Sequence, residues 1–214
     1  MRNTFYSLLI AAFMLALPTL AQAEDVNPQV VIKTDMGDIL VELYPKEAPV
    51  TVDNFVKLIN DFHYDGLIFH RVIKGFMIQT GGLTFDLTPR ESSRPAIVNE
   101  SSNGLKNKRG TLSMARTADA DSAKGQFFIN HKNNRSLDAR DKRAGYAVFG
   151  KVLEGMDVVD SIATVPTQSV SFYRDVPVQA IRILSARLLN PQAWKALPES
   201  KAATLSFEKP TPIK

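Results

Sequence analysis

The chain has 214 residues, a formal net charge of +4 and no cysteine. Without cysteine it can form no disulfide, thiol nucleophile or cysteine-ligated metal site. The densest basic segment, Lys106, Lys108 and Arg109, is too short for a nucleic-acid interface and lacks aromatic residues for base stacking, so a solvated loop is expected there.

The N-terminus has the pattern of a cleavable signal peptide, residues 1–23. Arg2 supplies a positive charge, an apolar run follows at 8–17, and Ala21-Gln22-Ala23 has the small residues of a cleavage site. The run is shorter than the roughly 20 apolar residues of a spanning helix, which disfavours an uncleaved anchor. We therefore expect export, a mature chain beginning at Glu24 and no stable membrane insertion. The remaining length suits one domain of about 100–200 residues.

The first elements after the signal are a hairpin and a helix. Residues 30–34 and 37–43 alternate apolar and polar side chains around a turn, which predicts two paired strands. Residues 49–60 carry apolar side chains at spacings of three and four, with a proline in the first turn, which predicts a helix.

The most informative stretch is 69–82. It predicts two short strands, 69–73 and 76–79, joined by a Lys-Gly turn and followed by two glycines. Because alternate side chains of a strand share a face, pairing would bring Arg71, Met77 and Gln79 together. Such a surface suits a substrate that is apolar at one point and amide-like beside it. The ordinary alternative for Arg71 is a structural salt bridge.

The second half predicts more short strands and one more helix. Polar loops occupy 84–109, with a short strand near 97–98, and a charged loop occupies 133–145. Strands are expected at 110–114, 126–130 and 146–152, a helix at 156–164 with Val158 facing inward, and a closing strand at 176–189 with Val178 on its apolar face. Residues 190–214 are expected to be a partly disordered extension. The pattern predicts a mainly β fold, a closed antiparallel β-barrel capped by two α-helices.

Several motifs together resemble the cyclophilins, the peptidyl-prolyl cis-trans isomerases. These are Phe69-His70-Arg71 followed by Gly75-Phe76-Met77 and Gln79, then the segments 113–118, 125–129 and 148–156. The resemblance covers about 30–189 and implies an eight-stranded barrel within a domain of 24–189, acting without cofactor or metal, as a monomer. The bacterial periplasmic branch is the most similar, because Tyr146 stands where eukaryotic members carry histidine. The resemblance therefore implies a periplasmic enzyme that acts on proline-containing polypeptides during folding of exported proteins.

The resemblance also implies roles for individual residues. Arg71 would donate a hydrogen bond to the proline nitrogen as the amide twists. The proline pocket would consist of Phe76, Met77, Phe128, Leu137 and Tyr146. The peptide backbone would form hydrogen bonds with the amides of Gln79 and Gln126, and it would lie along the main chain of Ala115, Arg116 and Thr117. Arg116, where the family often has asparagine, is expected to alter the preference for flanking residues.

Departures from the family and a rival function remain open at this stage. Ser136 aligns near a tryptophan that contacts cyclosporin in the family, so weak cyclosporin binding is expected, and the loop after Gly82 is short. The three histidines lack zinc-motif spacing and no Gly-x-Ser-x-Gly occurs, which argues against a metalloenzyme or a serine hydrolase. The rival is a proline-peptide-binding chaperone or interaction module with incidental isomerase activity.

Overall fold

A computed structural model describes residues 26–196. The predicted signal peptide, 1–23, and most of the predicted disordered extension, 197–214, lie outside the described residues. Within 26–196, none of the helices has the length and apolar character required to cross a membrane.

The described chain contains ten strands, two α-helices and two short 3-10 helices. In chain order they are β1 Gln29–Thr34, β2 Gly37–Leu43, α1 Pro49–Asn60, β3 Arg71–Ile73, β4 Met77–Thr80, β5 Thr111–Met114, β6 Phe127–Asn130, a 3-10 helix Arg135–Leu137, β7 Val148–Glu154, α2 Met156–Ala163, β8 Thr167–Val170, β9 Tyr173–Pro177, β10 Ile183–Leu188 and a 3-10 helix Pro191–Ala193.

The predicted β1–β2 hairpin and the predicted bounds of α1 are confirmed. Helix α1 has Pro49 in its first turn, where the missing N–H costs nothing. Its N-terminus is capped from a distance, because the Glu100 carboxylate accepts hydrogen bonds from the backbone N–H groups of Val50 and Thr51 at 3.1 and 2.8 Å. This contact joins the helix to the loop that precedes β5.

Eight strands form one antiparallel sheet in the order β10-β1-β2-β7-β5-β6-β4-β3. The sheet is curled but open, since β3 and β10 are not paired as strands, and the prediction of a closed barrel is wrong. The segment before β3 is bonded to the chain at the start of β10 through the isolated bridge Ile68 to Arg182 and a few backbone bonds. These run from Gly66 N to Ile183 O at 2.8 Å, from Ile183 N to Leu67 O at 2.7 Å and from Phe69 N to Ile181 O at 2.9 Å.

An aromatic cluster under α1 forms the centre of the core. The ring of Phe55 lies 5.1 to 5.2 Å from those of Tyr64, Phe127 and Phe149. Phe127 is 1% exposed, as expected for the core-facing member of the adjacent pair Phe127-Phe128. Strand β6 therefore directs one phenylalanine into the core and the next towards the opposite face of the sheet.

The chain after α2 differs from the prediction. Residues 167–177 form a two-stranded hairpin, β8–β9, where no element was predicted before the closing strand at 176–189. The closing strand β10 begins only at Ile183, and Val178 is 57% exposed rather than part of an apolar face. Val178 N donates to Pro166 O across the base of the hairpin, which turns its side chain outward. Val158 in α2 is half-buried and packs against Gly37.

Candidate active site

A cavity of about 300 Å³ lies on the outer face of β3, β4 and β6. We call it the small cavity. It is lined by nine of the predicted site residues: Arg71, Phe76, Met77, Gln79, Ala115, Arg116, Phe128, Leu137 and Tyr146. Two predicted residues, Thr117 and Gln126, lie beside it and not in its lining. The structure therefore brings most of the predicted set together, while their roles stay predictions.

Strand register explains why these residues meet. Arg71 in β3 is opposite Gln79 in β4, and Gln79 is opposite Phe128 in β6. Directly paired residues of neighbouring strands point to the same face, so the three side chains form one row across the sheet. The row joins a cation, an amide and an aromatic ring within the width of three strands.

The apolar part of the cavity is rigidly packed. Phe128 is 4% exposed and Met77 2% exposed. The Phe128 ring meets Tyr146 edge to face at a centroid distance of 5.7 Å, a favourable aromatic arrangement. Leu137 is tied to Tyr146 through a 2.9 Å backbone bond from Tyr146 N to Leu137 O. This side of the cavity therefore presents an aromatic and aliphatic surface.

The two predicted amides form a pair. Gln79 Nε2 donates to Gln126 Oε1 at 2.9 Å, which fixes both side chains next to Arg71. Gly82 makes this possible, because a Cβ there would lie 2.4 Å from Gln126 Nε2. Gln126 thus belongs to the site through Gln79 although it does not line the small cavity.

The segment 115–117 is partly committed to internal bonds. Ala115 N donates to Gln126 O at 2.9 Å, and Thr117 N donates to Ser122 Oγ at 2.9 Å. The Thr117 carbonyl accepts from Arg116 Nη1 at 2.9 Å. Thr117 therefore has both main-chain polar groups engaged within the protein.

The Arg116 side chain closes one wall of the small cavity. Its Nε donates to Gly145 O at 3.1 Å and its Nη2 to Ala144 O at 2.9 Å. The guanidinium carbon lies 4.8 Å from the centre of the Tyr146 ring, within cation–π range. This side chain spans from the end of β5 to the loop before β7 and covers Tyr146.

Arg71 is held much more loosely than Arg116. Its Nε lies 3.6 Å from Asp175 Oδ2, and 43% of its side chain is exposed. Half-exposed ion pairs are weak, so this contact leaves the guanidinium adjustable at the edge of the cavity. The salt bridge that sequence reasoning offered as the alternative for Arg71 is thus present, together with its contact with the small cavity. Asp175 was missed because its hairpin was missed.

Sequence reasoning also missed a buried amide network behind the small cavity. Asn134 Nδ2 donates to Phe76 O at 2.8 Å, and Asn107 Nδ2 donates to Tyr146 O at 3.3 Å. Asn107 and Asn134 are 2% and 3% exposed, and Asn107 also donates to Asp138 Oδ1 at 3.1 Å. These amides fix the main chain of two cavity residues. The only signals in the sequence were Asn107 in one polar loop and the pair Asn133-Asn134 in another.

The histidines do not form a reactive centre in the described chain. His70, next to Arg71, is 7% exposed, and burial lowers the pKa of its imidazole to about 4. Burial also lowers the pKa of His63. Because its pKa is lowered to about 4, His70 is neutral at pH 7. Within residues 26–196, no cluster of three His, Asp or Glu side chains is arranged to hold a metal ion.

Comparisons with known proteins agree with this geometry. The sequence profile of the cyclophilin type peptidyl-prolyl cis-trans isomerase/CLD family matches residues 29–188. A peptidyl-prolyl cis-trans isomerase of Acinetobacter baylyi is 49% identical over 162 residues, 76% of this chain and 86% of the relative. Peptidyl-prolyl cis-trans isomerase A of Dickeya dadantii is 46% identical over 170 residues, 79% of this chain and 89% of the relative.

A solved structure shows the same fold at lower identity. It is a crystal structure of a Cryptosporidium parvum cyclophilin type peptidyl-prolyl cis-trans isomerase in the presence of the dipeptide Ala-Pro. It matches with a TM-score of 0.62 and 27% identity, over 75% of this chain and 98% of that chain. By sequence profile, by relatives and by fold, this chain belongs to the cyclophilin-type peptidyl-prolyl cis-trans isomerases.

Proposed function

We propose that this protein accelerates the cis-trans isomerisation of X–Pro bonds in polypeptides, and that it acts in the periplasm on exported proteins. The observation that carries the proposal is the row of Arg71, Gln79 and Phe128 beside the small cavity, whose lining joins apolar side chains to a cation and an amide. The structural neighbour crystallised in the presence of Ala-Pro supports a proline-containing substrate. The signal-like segment at 1–23 and the similarity of the whole pattern to bacterial members support export.

The chemistry requires no covalent intermediate. Amide resonance keeps the X–Pro bond planar, with a barrier to rotation of about 18–20 kcal/mol. A catalyst needs only to bind the twisted amide more tightly than either planar form. Twisting turns the proline nitrogen into a hydrogen-bond acceptor, because its lone pair leaves the amide system. A donor beside the proline ring stabilises that state selectively.

The site residues divide this work between them. The small cavity holds the proline ring through Phe128, Met77 and Leu137. The paired amides of Gln79 and Gln126 position the main chain of the substrate next to the X–Pro bond about which rotation occurs. Arg71 supplies the donor, since its guanidinium is permanently charged and has several N–H groups in a planar fork.

Replacement of Arg71 tests the proposal. Arg71→Ala should lower kcat/KM for an Ala-Pro peptide by about 10²–10³, the usual loss when one preorganised donor is removed. Arg71→Lys should not restore activity, because a lysine lacks the planar fork. Binding of the same peptide should stay within about tenfold, because the contact strengthens only in the twisted state. The rate is measured by exchange NMR or a protease-coupled assay, and binding by titration.

Arg182→Ala is the matched control. Arg182 is also paired with an aspartate, Asp35, but it does not line the small cavity. It should keep the wild-type rate. A folded Arg71→Ala variant with near-wild-type turnover would make Arg71 a structural residue and overturn the mechanism. Equal loss of binding and turnover would favour the chaperone or interaction module over the enzyme.

A further inference from the structure

The β8–β9 hairpin places a carboxylate beside Arg71. Asp175 Oδ2 lies 3.6 Å from Arg71 Nε, too far for a hydrogen bond but close enough for an ion pair. Within residues 26–196 this is the only ion pair that Arg71 makes. The Asp175 side chain is 39% exposed, so the pair is partly shielded from solvent. The carboxylate is thus placed to bias the orientation of the guanidinium.

Asp175 contacts Arg71 from outside the small cavity. A second groove of about 520 Å³, which we call the outer groove, is lined by residues that include Arg71, Gln126 and Asp175. Arg71 lines both spaces, whereas Asp175 lines only the outer groove. The aspartate therefore pairs with the guanidinium at Nε without itself lining the small cavity.

The backbone of Asp175 is unusual for a strand residue. Its φ is +60°, in the left-handed region that few residues other than glycine occupy, although aspartate is one that tolerates it. The next two residues, Val176 and Pro177, are buried and fix the end of β9. Strained residues of this kind are concentrated at functional sites, because they aim a side chain that a regular strand would direct elsewhere.

We propose that Asp175 is a positioning residue for Arg71, an inference that rests on the proposed isomerase function. Arginine has many rotamers when half-exposed, and only some of them present the donor fork to a proline nitrogen. A carboxylate at Nε favours those rotamers by charge attraction and is centred away from the terminal Nη groups. The ion pair thereby prepares the donor before the amide twists, and the benefit is realised in turnover and not in peptide binding.

Asp175→Asn tests this role with little structural change. Asparagine has the same shape and also accepts the left-handed backbone, but it removes the charge. We expect kcat to fall about threefold to fivefold, as suits a half-exposed ion pair. Peptide affinity should stay within about twofold, and in an Arg71→Ala background the same change should have no further effect, because the aspartate acts through the arginine.

Asp35→Asn is the matched control, since it removes the charge from the Asp35–Arg182 ion pair away from the small cavity and should leave kcat unchanged. A wild-type kcat for Asp175→Asn would overturn the inference. So would an equal loss of kcat in the Arg71→Ala background.

NMR of the Arg71 Nε–Hε group in the peptide-free protein provides a readout independent of activity. A signal that is resolved in the wild type and broadened in Asp175→Asn supports the contact, and an unchanged signal overturns it. A wild type that isomerises no X–Pro peptide would instead refute the proposed function.

Discussion

His70 should make the stability of the fold depend on pH. Burial lowers the pKa of its imidazole from the ordinary value of 6.5 to about 4, and its Nδ1 atom has no hydrogen-bond partner in the described chain. In the unfolded chain the same imidazole titrates near its ordinary value. Between these two pH values the unfolded state binds a proton that the folded state rejects, so acid favours unfolding.

The size of the effect follows from the two pKa values. A change from 6.5 to about 4 corresponds to about 3 kcal/mol of unfolding free energy, present above pH 6.5 and lost as the pH falls to about 4. The lowered pKa of His63 acts in the same direction. The raised pKa of Glu100 acts in the opposite direction, because its folded-state carboxyl holds a proton more firmly.

Urea denaturation followed by circular dichroism at pH 7, 6, 5 and 4.5 would measure this dependence. The comparison is with His70→Phe, which retains a buried ring but cannot titrate. The variant should have a flatter plot of unfolding free energy against pH over this range, whatever its stability at pH 7. A wild-type plot that is flat between pH 6.5 and 4.5 would refute the reasoning, as would a variant that is as steep as the wild type.

Two further predictions concern the cavity wall and export. Arg116→Ala removes the bonds to Ala144 and Gly145 and the contact with Tyr146. We therefore expect KM for an Ala-Pro peptide to rise severalfold and the unfolding free energy to fall by about 1–3 kcal/mol. Arg140→Ala, in the exposed part of the loop that contains Ala144 and Gly145, is the control, and an unchanged KM for Arg116→Ala would contradict the assignment of Arg116 as a wall of the small cavity. For export, the intact mass of protein recovered from the periplasm should correspond to a chain beginning at Glu24, and retention of residues 1–23 in a membrane fraction would contradict it.

Elements with strong local signals were predictable from sequence. The bounds of α1 follow from its proline and the regular apolar spacing, and the β1–β2 hairpin follows from alternation around a turn. The row of Arg71, Gln79 and Phe128 was predictable in part, because a period of two places alternate residues on one face. The assignment of Phe128, Leu137 and Tyr146 to one cavity came from family resemblance, since no local pattern joins residues on three distant segments.

The missed features lack such signals. Strand β8 has three exposed residues followed by a half-buried valine, so it has no apolar periodicity to read. The sheet stays open because β3 and β10 do not pair as strands, and side-chain alternation does not encode which edge strands pair. The position of Asp175 beside Arg71 was missed for both reasons, since it depends on the β8–β9 hairpin and on the open edge of the sheet.

The contrast between Arg71 and its surroundings bears on the mechanism. Phe76 and Tyr146 have carbonyls fixed by buried amides, and Arg116 is bonded to four backbone carbonyls. Arg71 has one loose ion pair. Under the proposed mechanism the proline ring must be held still while the amide nitrogen changes shape, so rigid walls suit the ring. The donor need only favour the rotamers that face the twisted amide, and the ion pair with Asp175 is weak enough to bias Arg71 towards them without binding it firmly.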